Sequence, residues 1–367
     1  MLTQLPRFIN KHQTTDNHTG STNRFSDSVK QAYINNRDDY NTFKTVAKLS
    51  NDEEHRKKPI TFEQRLRNSQ HILRQAYLHM HNTMVSISHG EAIPMDTLYT
   101  LVRKILIHLE RHSDSILYLS RNKQKSEYTY MRSVSFCILL LDFTRALGFS
   151  EKDLLHIGVG ALLHDAGKMW VPQHILNKTG KLSQQEFRKI RAHIKFSELI
   201  LYNNHITNPL SQQVSLQHHE RNDGSGYPYG LTQNEISDIG QIAAIVDVYD
   251  AITSNRCYKQ QLEPAQALKY LLKNNGNQFN AELVQRFVQH LGVYPVGSTV
   301  KLNNNIIGIV IEKGRDLLKP IIKVIYDETT HRLIPPSRIS LGDINDLYIT
   351  QTLSAAQLRF NPLRFIS

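Results

Sequence analysis

The chain has 367 residues, enough for two or three compact units with sizeable cores. Its 40% hydrophobic and 21% charged residues exclude a disordered or fibrous chain, and no apolar run reaches the roughly 18 residues needed to cross a bilayer. The net charge of +11 suits a polyanionic partner, although charge alone is more often a solvated surface. Cys137 and Cys257 lie far apart, which excludes a disulfide framework and a CxxC zinc ribbon. "MLTQLPRFINKHQTTDNHTG" lacks the apolar core of a secretory signal, so the expected location is a reducing cytoplasm.

Residues 1–58 are polar ("TTDNHTGSTNRFSDS") and read as a weakly ordered arm with one helix near 28–48. Over 59–120, Leu66, Ile72, Leu73, Ala76, Tyr77, Met80 and Met84 keep helical spacing. "HGEAIP" breaks that pattern, and Met95–Leu119 supplies a second amphipathic helix, so the two form a helical hairpin. Residues 121–294 read as helical throughout. Ser183 and Glu186 form a capping box at the head of a helix, "SQQEFRKIRAHIKFSELILY". The period then changes over 295–350, where "GSTVKL", "IIGIVIEK", "PIIKVIYDE" and "RLIPPS" predict a small antiparallel sheet or barrel. Residues 351–367 read as a loose tail or a short docking helix. The fold class is therefore mainly α, a helical bundle with an N-terminal helical hairpin and a small C-terminal β module.

Four clusters within the helical region carry chemistry. His164 and Asp165 end an apolar stretch, "DLLHIGVGALLHDAGK". Burying an ionised carboxylate there is costly unless it is paired or binds a metal. His193 follows on the capped helix, His218 and His219 are adjacent in "HHERNDGSGYPYG", and Asp247 and Asp250 lie one turn apart in "IAAIVDVYDAITSN". Each cluster adjoins an apolar helical face, so all can point into one core. Any one of them alone is more often an ordinary histidine or a helix-bracing carboxylate. Their joint occurrence points to a site for borderline metals such as Fe, Mn, Ni, Co or Zn.

"HDAGK" at 164–168 and "HHERNDGSGYPYG" at 218–230 resemble the signature motifs of the HD-GYP family, bacterial cyclic dinucleotide phosphodiesterases of the HD superfamily. "ILNKTGKLSQQEF", His193 and "DVYDAITSNRCYK" agree further, and the resemblance spans about 121–294. It implies an HD-type bundle that hydrolyses cyclic di-GMP, or a related cyclic GMP-AMP, to a linear dinucleotide or GMP. It also implies one or two divalent transition ions, Fe or Mn first, and a place in second-messenger signalling with protein partners. Position by position, His164, Asp165, His193, His218, His219 and Asp247 would be metal ligands, with Asp165 bridging. Lys168 would act with Asp165 at the scissile phosphate. Arg256, Lys259, Tyr227, Gly226 and Asp250 would bind substrate.

The sequence departs from that family at one position. Where the family carries its first metal histidine, in a segment resembling Y-T-Y-x-H-S-V, "EYTYMRSVSF" places Arg132. Arg132, Phe136, Leu139 and Phe143 keep helical spacing, so Arg132 heads an inward stripe. A guanidinium cannot ligate a metal and stays charged. Tyr128 offers no carboxylate for a third ion, and Ser197 stands where the family has Gly. Two readings follow: an enzyme with a single-metal or asymmetric site, or a metal-poor receptor in which Arg132 pairs with Asp165 or Asp247 and the cyclic dinucleotide is bound without being cut. Basic charge with no recognised nucleic-acid module leaves nucleic-acid binding the weakest reading.

Overall fold

The computed structural model describes residues 61–121, 129–254, 262–353 and 357–358. The polar arm with its expected helix, Tyr128, Arg256, Lys259 and most of the expected tail lie outside the described residues.

Two long antiparallel helices open the described chain. Helix α1 (Phe62–Ser88) starts at a reciprocal capping box, in which the Thr61 hydroxyl accepts from the Gln64 amide and the Gln64 side chain accepts from the Thr61 amide. It buries Phe62, Leu66, Leu73, Ala76, Met80, Met84 and Ile87, one stripe at helical spacing. Helix α2 (Met95–Arg121) packs against it and breaks regularity at His112, where φ is −144° and ψ 37°.

Helices α3 (Thr129–Ala146), α4 (Glu151–Leu163) and α9 (Asp238–Thr253) form the centre of the bundle and are buried almost all round, so their sequences show little amphipathic contrast. Around them run α5 (Gln173–Leu176), α6 (Gln184–Arg191), α7 (His193–Asn203), α8 (Pro209–Gln217), α10 (Pro264–Lys273) and α11 (Ala281–Leu291). The predicted capping box is present at Ser183 and Glu186. The single helix expected after it is two helices, α6 and α7, broken at Ala192. There the Ala192 amide still donates to the Arg188 carbonyl (3.1 Å), and His193 Nδ1 donates to the Ile190 carbonyl (2.6 Å).

The C-terminal strands β1 (Thr299–Leu302), β2 (Ile306–Glu312), β3 (Ile321–Asp327), β4 (Arg332–Ser340) and β5 (Ile349–Leu353) make one open antiparallel sheet in the order β4-β3-β2-β1-β5. Residues 351–353, expected in the tail, belong to edge strand β5, because Ile349 and Leu353 are buried against the sheet core. The other edge, β4, carries Pro335 and Pro336, residues tolerated where no further strand must pair. Val300, Ile309, Ile311, Ile322 and Val324 share a core with Phe62, Leu66 and Tyr118 of the helical pair, and Lys323 pairs with Glu63 at 2.8 Å. No described helix is long and apolar enough to cross a membrane.

Candidate metal centre

His164 caps the end of α4, and Asp165 is the turn residue before a short 3-10 helix, Ala166–Trp170. This sharp turn is held from α7: the Gly167 amide donates to Ser197 Oγ (3.0 Å), which in turn donates to the His164 carbonyl (3.3 Å). Ser197 is therefore a linker between the two segments. Gly167 itself is required by close approach, since a Cβ there would lie 1.9 Å from the His193 carbonyl oxygen. His193 begins α7, His218 caps α8, His219 follows it, and Asp247 and Asp250 project from α9.

Asp165, His193, His218 and His219 each bring one donor atom to a common place, all within 4.8 Å of one another. Three histidines are fixed in the same way. Nδ1 of His164, His193 and His218 contacts the backbone carbonyl three residues earlier, at 2.7, 2.6 and 3.0 Å. A carbonyl only accepts, so each Nδ1 carries the proton and each Nε2 offers a lone pair. Those three Nε2 atoms, and Asp165 Oδ1, are buried without a hydrogen-bond partner. Buried polar atoms are almost always satisfied, so the orphans on Asp165, His193 and His218, which share one donor group, fit a cation as the missing partner.

Burial, with the Lys168 ammonium, pushes His193 down to about 4. Burial and the neighbouring imidazoles hold His218 and His219 well below the ordinary histidine value. All three are neutral at pH 7, the state a ligand requires. Burial alone would raise Asp165, but His164, Lys168 and Arg132 outweigh it and hold its carboxyl well below the usual range.

The two oxygens of Asp165 face different chemistry. Oδ1 lies 3.4 Å from His193 Nε2 and 3.9 Å from His218 Nε2. Oδ2 lies 2.6 Å from Lys168 Nζ, 3.2 Å from His164 Nε2 and 3.9 Å from the Arg132 guanidinium. Arg132 is 21% exposed, contacts Asp247 Oδ1 directly and sits 3.7 Å from Asp250 Oδ2. The second Asp247 oxygen is 3.5 Å from His219 Nδ1. A guanidinium thus stands among Asp165, Asp247 and Asp250, and burial notwithstanding those carboxylates raise its pKa further.

The expected substrate residues separate. Tyr227 stacks on His219 with ring centroids 4.6 Å apart, beside the cluster. Gly226 permits the loop to lie on Glu220 and Arg221, where a Cβ would fall 2.5 Å from the Glu220 Cα. Asp250 is buried, with Arg132 as its neighbour rather than an open face for a nucleotide. Arg256 and Lys259 lie outside the described residues. Sequence reasoning passed over Glu220, whose carboxylate accepts from the Tyr229 (2.8 Å) and Leu231 (3.1 Å) amides and ties down the Gly-Tyr-Pro loop. A carboxylate directly after His-His and before a glycine-rich turn was the available signal. Arg191, over the Tyr227 ring, carried none.

Residues 117–283 match the family model described as an HD domain. The chain is 40% identical over 254 residues to a cyclic di-GMP phosphodiesterase of Pseudomonas aeruginosa, covering 69% of this chain and 61% of that protein. It is 33% identical over 171 residues to a 3'3'-cGAMP-specific phosphodiesterase of Vibrio cholerae, covering 47% of this chain and 37% of that protein. The chain thus spans about three fifths or less of the length of these curated relatives. The solved structure of an HDG"Y"P protein from Bdellovibrio bacteriovorus superposes with a TM-score of 0.52 at 14% identity, covering 69% of this chain and 80% of that one, a likeness of fold. The Asp165 cluster thus falls within the residues, 117–283, that the HD-domain model matches.

Proposed function

We propose that this chain is an HD-GYP phosphodiesterase that opens cyclic di-GMP, or the related cyclic GMP-AMP, to the linear dinucleotide in bacterial second-messenger signalling in the cytoplasm. The observation that carries the reading is the convergence of Asp165, His193, His218 and His219, three of them with orphaned donor atoms, beside the Lys168 ammonium. That donor set suits a single Fe or Mn ion. When bound, such an ion supplies Lewis acidity and lowers the pKa of water toward neutrality. Arg132 takes the place of a second cation: it neutralises Asp247 and braces Asp165.

Asp165 and the three imidazoles hold the attacking water's position on one side of the scissile phosphodiester. Lys168 and Arg132 present positive charge to its non-bridging oxygens on the other. Burial lowers the Lys168 pKa, with the Arg132 charge acting in the same direction, against the pull of Asp165. As the water oxygen bonds to phosphorus its proton passes to bulk solvent, and Lys168 Nζ is suited to give a proton to the leaving ribose oxygen as the old P–O bond breaks. Burial keeps His193 and His218 neutral, and their Nδ1–H bonds to backbone carbonyls fix the tautomer that leaves Nε2 free.

The test is an anaerobic time course of cyclic di-GMP hydrolysis with Fe²⁺ or Mn²⁺, with Asp165→Ala alongside. Linear product from the wild type and none from the variant supports the enzyme. The second reading, a receptor that binds without cutting and signals through protein partners, is favoured by one observation, the guanidinium lodged among three carboxylates. It predicts tight binding, no product, and turnover gained by Arg132→His.

A further inference from the structure

Arg191 ends α6, two residues before His193. Its guanidinium lies 4.4 Å from the centroid of the Tyr227 ring and 5.0 Å from that of Phe187. Tyr227 stacks in turn on His219. A series of flat groups therefore leads from the metal-ligand cluster through Tyr227 to Arg191 and on to Phe187, which is 45% exposed. Arg191 stands at the mouth of the site.

Its polar partners set it apart. Arg132 and Arg65 pair with carboxylates, and Arg145 and Arg221 donate to backbone carbonyls. Arg191 Nε is buried with no hydrogen-bond partner, and among the described residues no carboxylate lies within ion-pair distance of Arg191. Contact with two aromatic faces supports a cation but satisfies none of its N–H donors. A half-buried guanidinium without a counter-charge is costly to the protein alone, and the cost disappears when a ligand supplies the anion.

We propose that Arg191 is a substrate-binding residue that holds an anionic oxygen of the second, unreacting phosphodiester of a cyclic dinucleotide. The assignment rests on the phosphodiesterase reading above. Arg191 packs on Tyr227, which packs in turn on His219, and it makes no ion pair with Asp165 among the described residues, so it is placed beside the cluster rather than in it. A cyclic dinucleotide carries a second phosphate across its ring, and the planar fork of Arg matches phosphate oxygens. Tyr227 is the shelf that orients the fork.

The experiment compares the metal-loaded full chain with Arg191→Gln and Arg191→Lys on two substrates, cyclic di-GMP and bis(p-nitrophenyl) phosphate, which has only one phosphodiester. Arg191→Gln is expected to lower the ratio of kcat/KM for cyclic di-GMP to that for the small ester by roughly ten- to a hundredfold, chiefly through KM, as for loss of a charged hydrogen bond. Arg191→Lys should fall between, and cyclic di-AMP should show the same fold-loss as cyclic di-GMP. Parallel loss on both esters would mean that Arg191 only braces Tyr227. A loss confined to guanine substrates would mean that it reads the base, and no change would leave it no role; each overturns the proposal. Calorimetric Kd values for cyclic di-GMP decide the point even if the wild type binds without cutting, since Arg191→Gln should weaken binding by the same factor. A wild type that neither binds nor cuts removes the phosphodiesterase reading itself, and that result is visible without any Arg191 variant.

Discussion

Replacing Arg132 by methionine keeps much of the side-chain length and removes the charge among three buried carboxylates. Asp247 touches the guanidinium, and the facing oxygens of Asp250 and Asp165 lie 3.7 and 3.9 Å away. At an effective dielectric near 20, each of those two separations carries ~4 kcal/mol of gross attraction. Desolvation of the ions offsets most of it, so the gross figure is not the expected loss. The loss comes from the charges left behind, and removing one partner of a buried pair costs ~3–5 kcal/mol. Because Arg132 is 21% exposed, water can relieve part of that, and the lower end, ~3 kcal/mol, is the expected value. Urea unfolding of the metal-free protein in EDTA at neutral pH measures it, with Mn²⁺ added in a second series. The divalent ion should return much of the lost stability in Arg132→Met and add less to the wild type. A loss under ~1 kcal/mol without metal, or equal metal stabilisation of both proteins, would refute the idea that Arg132 fills a cation's place.

Three further outcomes follow from the packing. Gly167→Ala puts a Cβ 1.9 Å from the His193 carbonyl oxygen, so α7 must move; metal content should fall and stability drop by ~1–3 kcal/mol, and full metal loading by elemental analysis would contradict the argument. Ser197→Ala strips the buried Gly167 amide of its acceptor and should cost ~1–3 kcal/mol in urea melts, where Ser197→Thr costs less. His108 is buried between α1 and α2 with Nε2 2.7 Å from Ser69 Oγ, and burial, with His112 nearby, pushes its pKa down from 6.5 to about 4. The unfolded chain then binds the extra proton between those two values, so this stabilisation is complete above pH 6.5 and is lost as pH falls toward 4. Relative to His108→Gln, the wild type should lose about 2 kcal/mol of unfolding free energy between pH 7 and pH 5, and parallel profiles would show that His108 titrates normally.

Much of this arrangement is legible in the sequence because it rests on local rules. The stripes of α1 and α2 and the capping box at Ser183 follow from periodicity and cap chemistry, and the change of period at residue 295 marks the sheet. The clustering of His164, Asp165, His193, His218 and His219 was readable because each side chain is anomalous in an apolar setting. The break at Ala192 was not readable, since it depends on His193 turning back to the Ile190 carbonyl. Strand β5 was missed because its partner β1 lies some fifty residues earlier in the chain. The approach of Arg132 to Asp250, more than a hundred residues away in sequence, was equally unreadable. Long-range pairings of this kind have no signature in a local window.

The charges of the site give Arg132 a place in the chemistry. Asp165, Asp247 and Asp250 face two fixed cations, Arg132 and Lys168, which leaves one uncompensated negative charge in a buried space. One divalent ion at Asp165, His193, His218 and His219 turns that into a single positive charge, which one phosphodiester group then neutralises. With histidine at position 132 the deficit without metal would be two charges, and two divalent ions would be needed to make the space attractive to phosphate. The arginine therefore supplies half the charge of a second ion, but as a permanent part of the chain. It cannot offer an open coordination position. On the phosphodiesterase reading the two carboxylate oxygens would divide the labour: Oδ1 faces His193 and His218, and Oδ2 faces His164, Lys168 and Arg132. On the phosphodiesterase reading, activity should follow the occupancy of a single metal site without cooperativity.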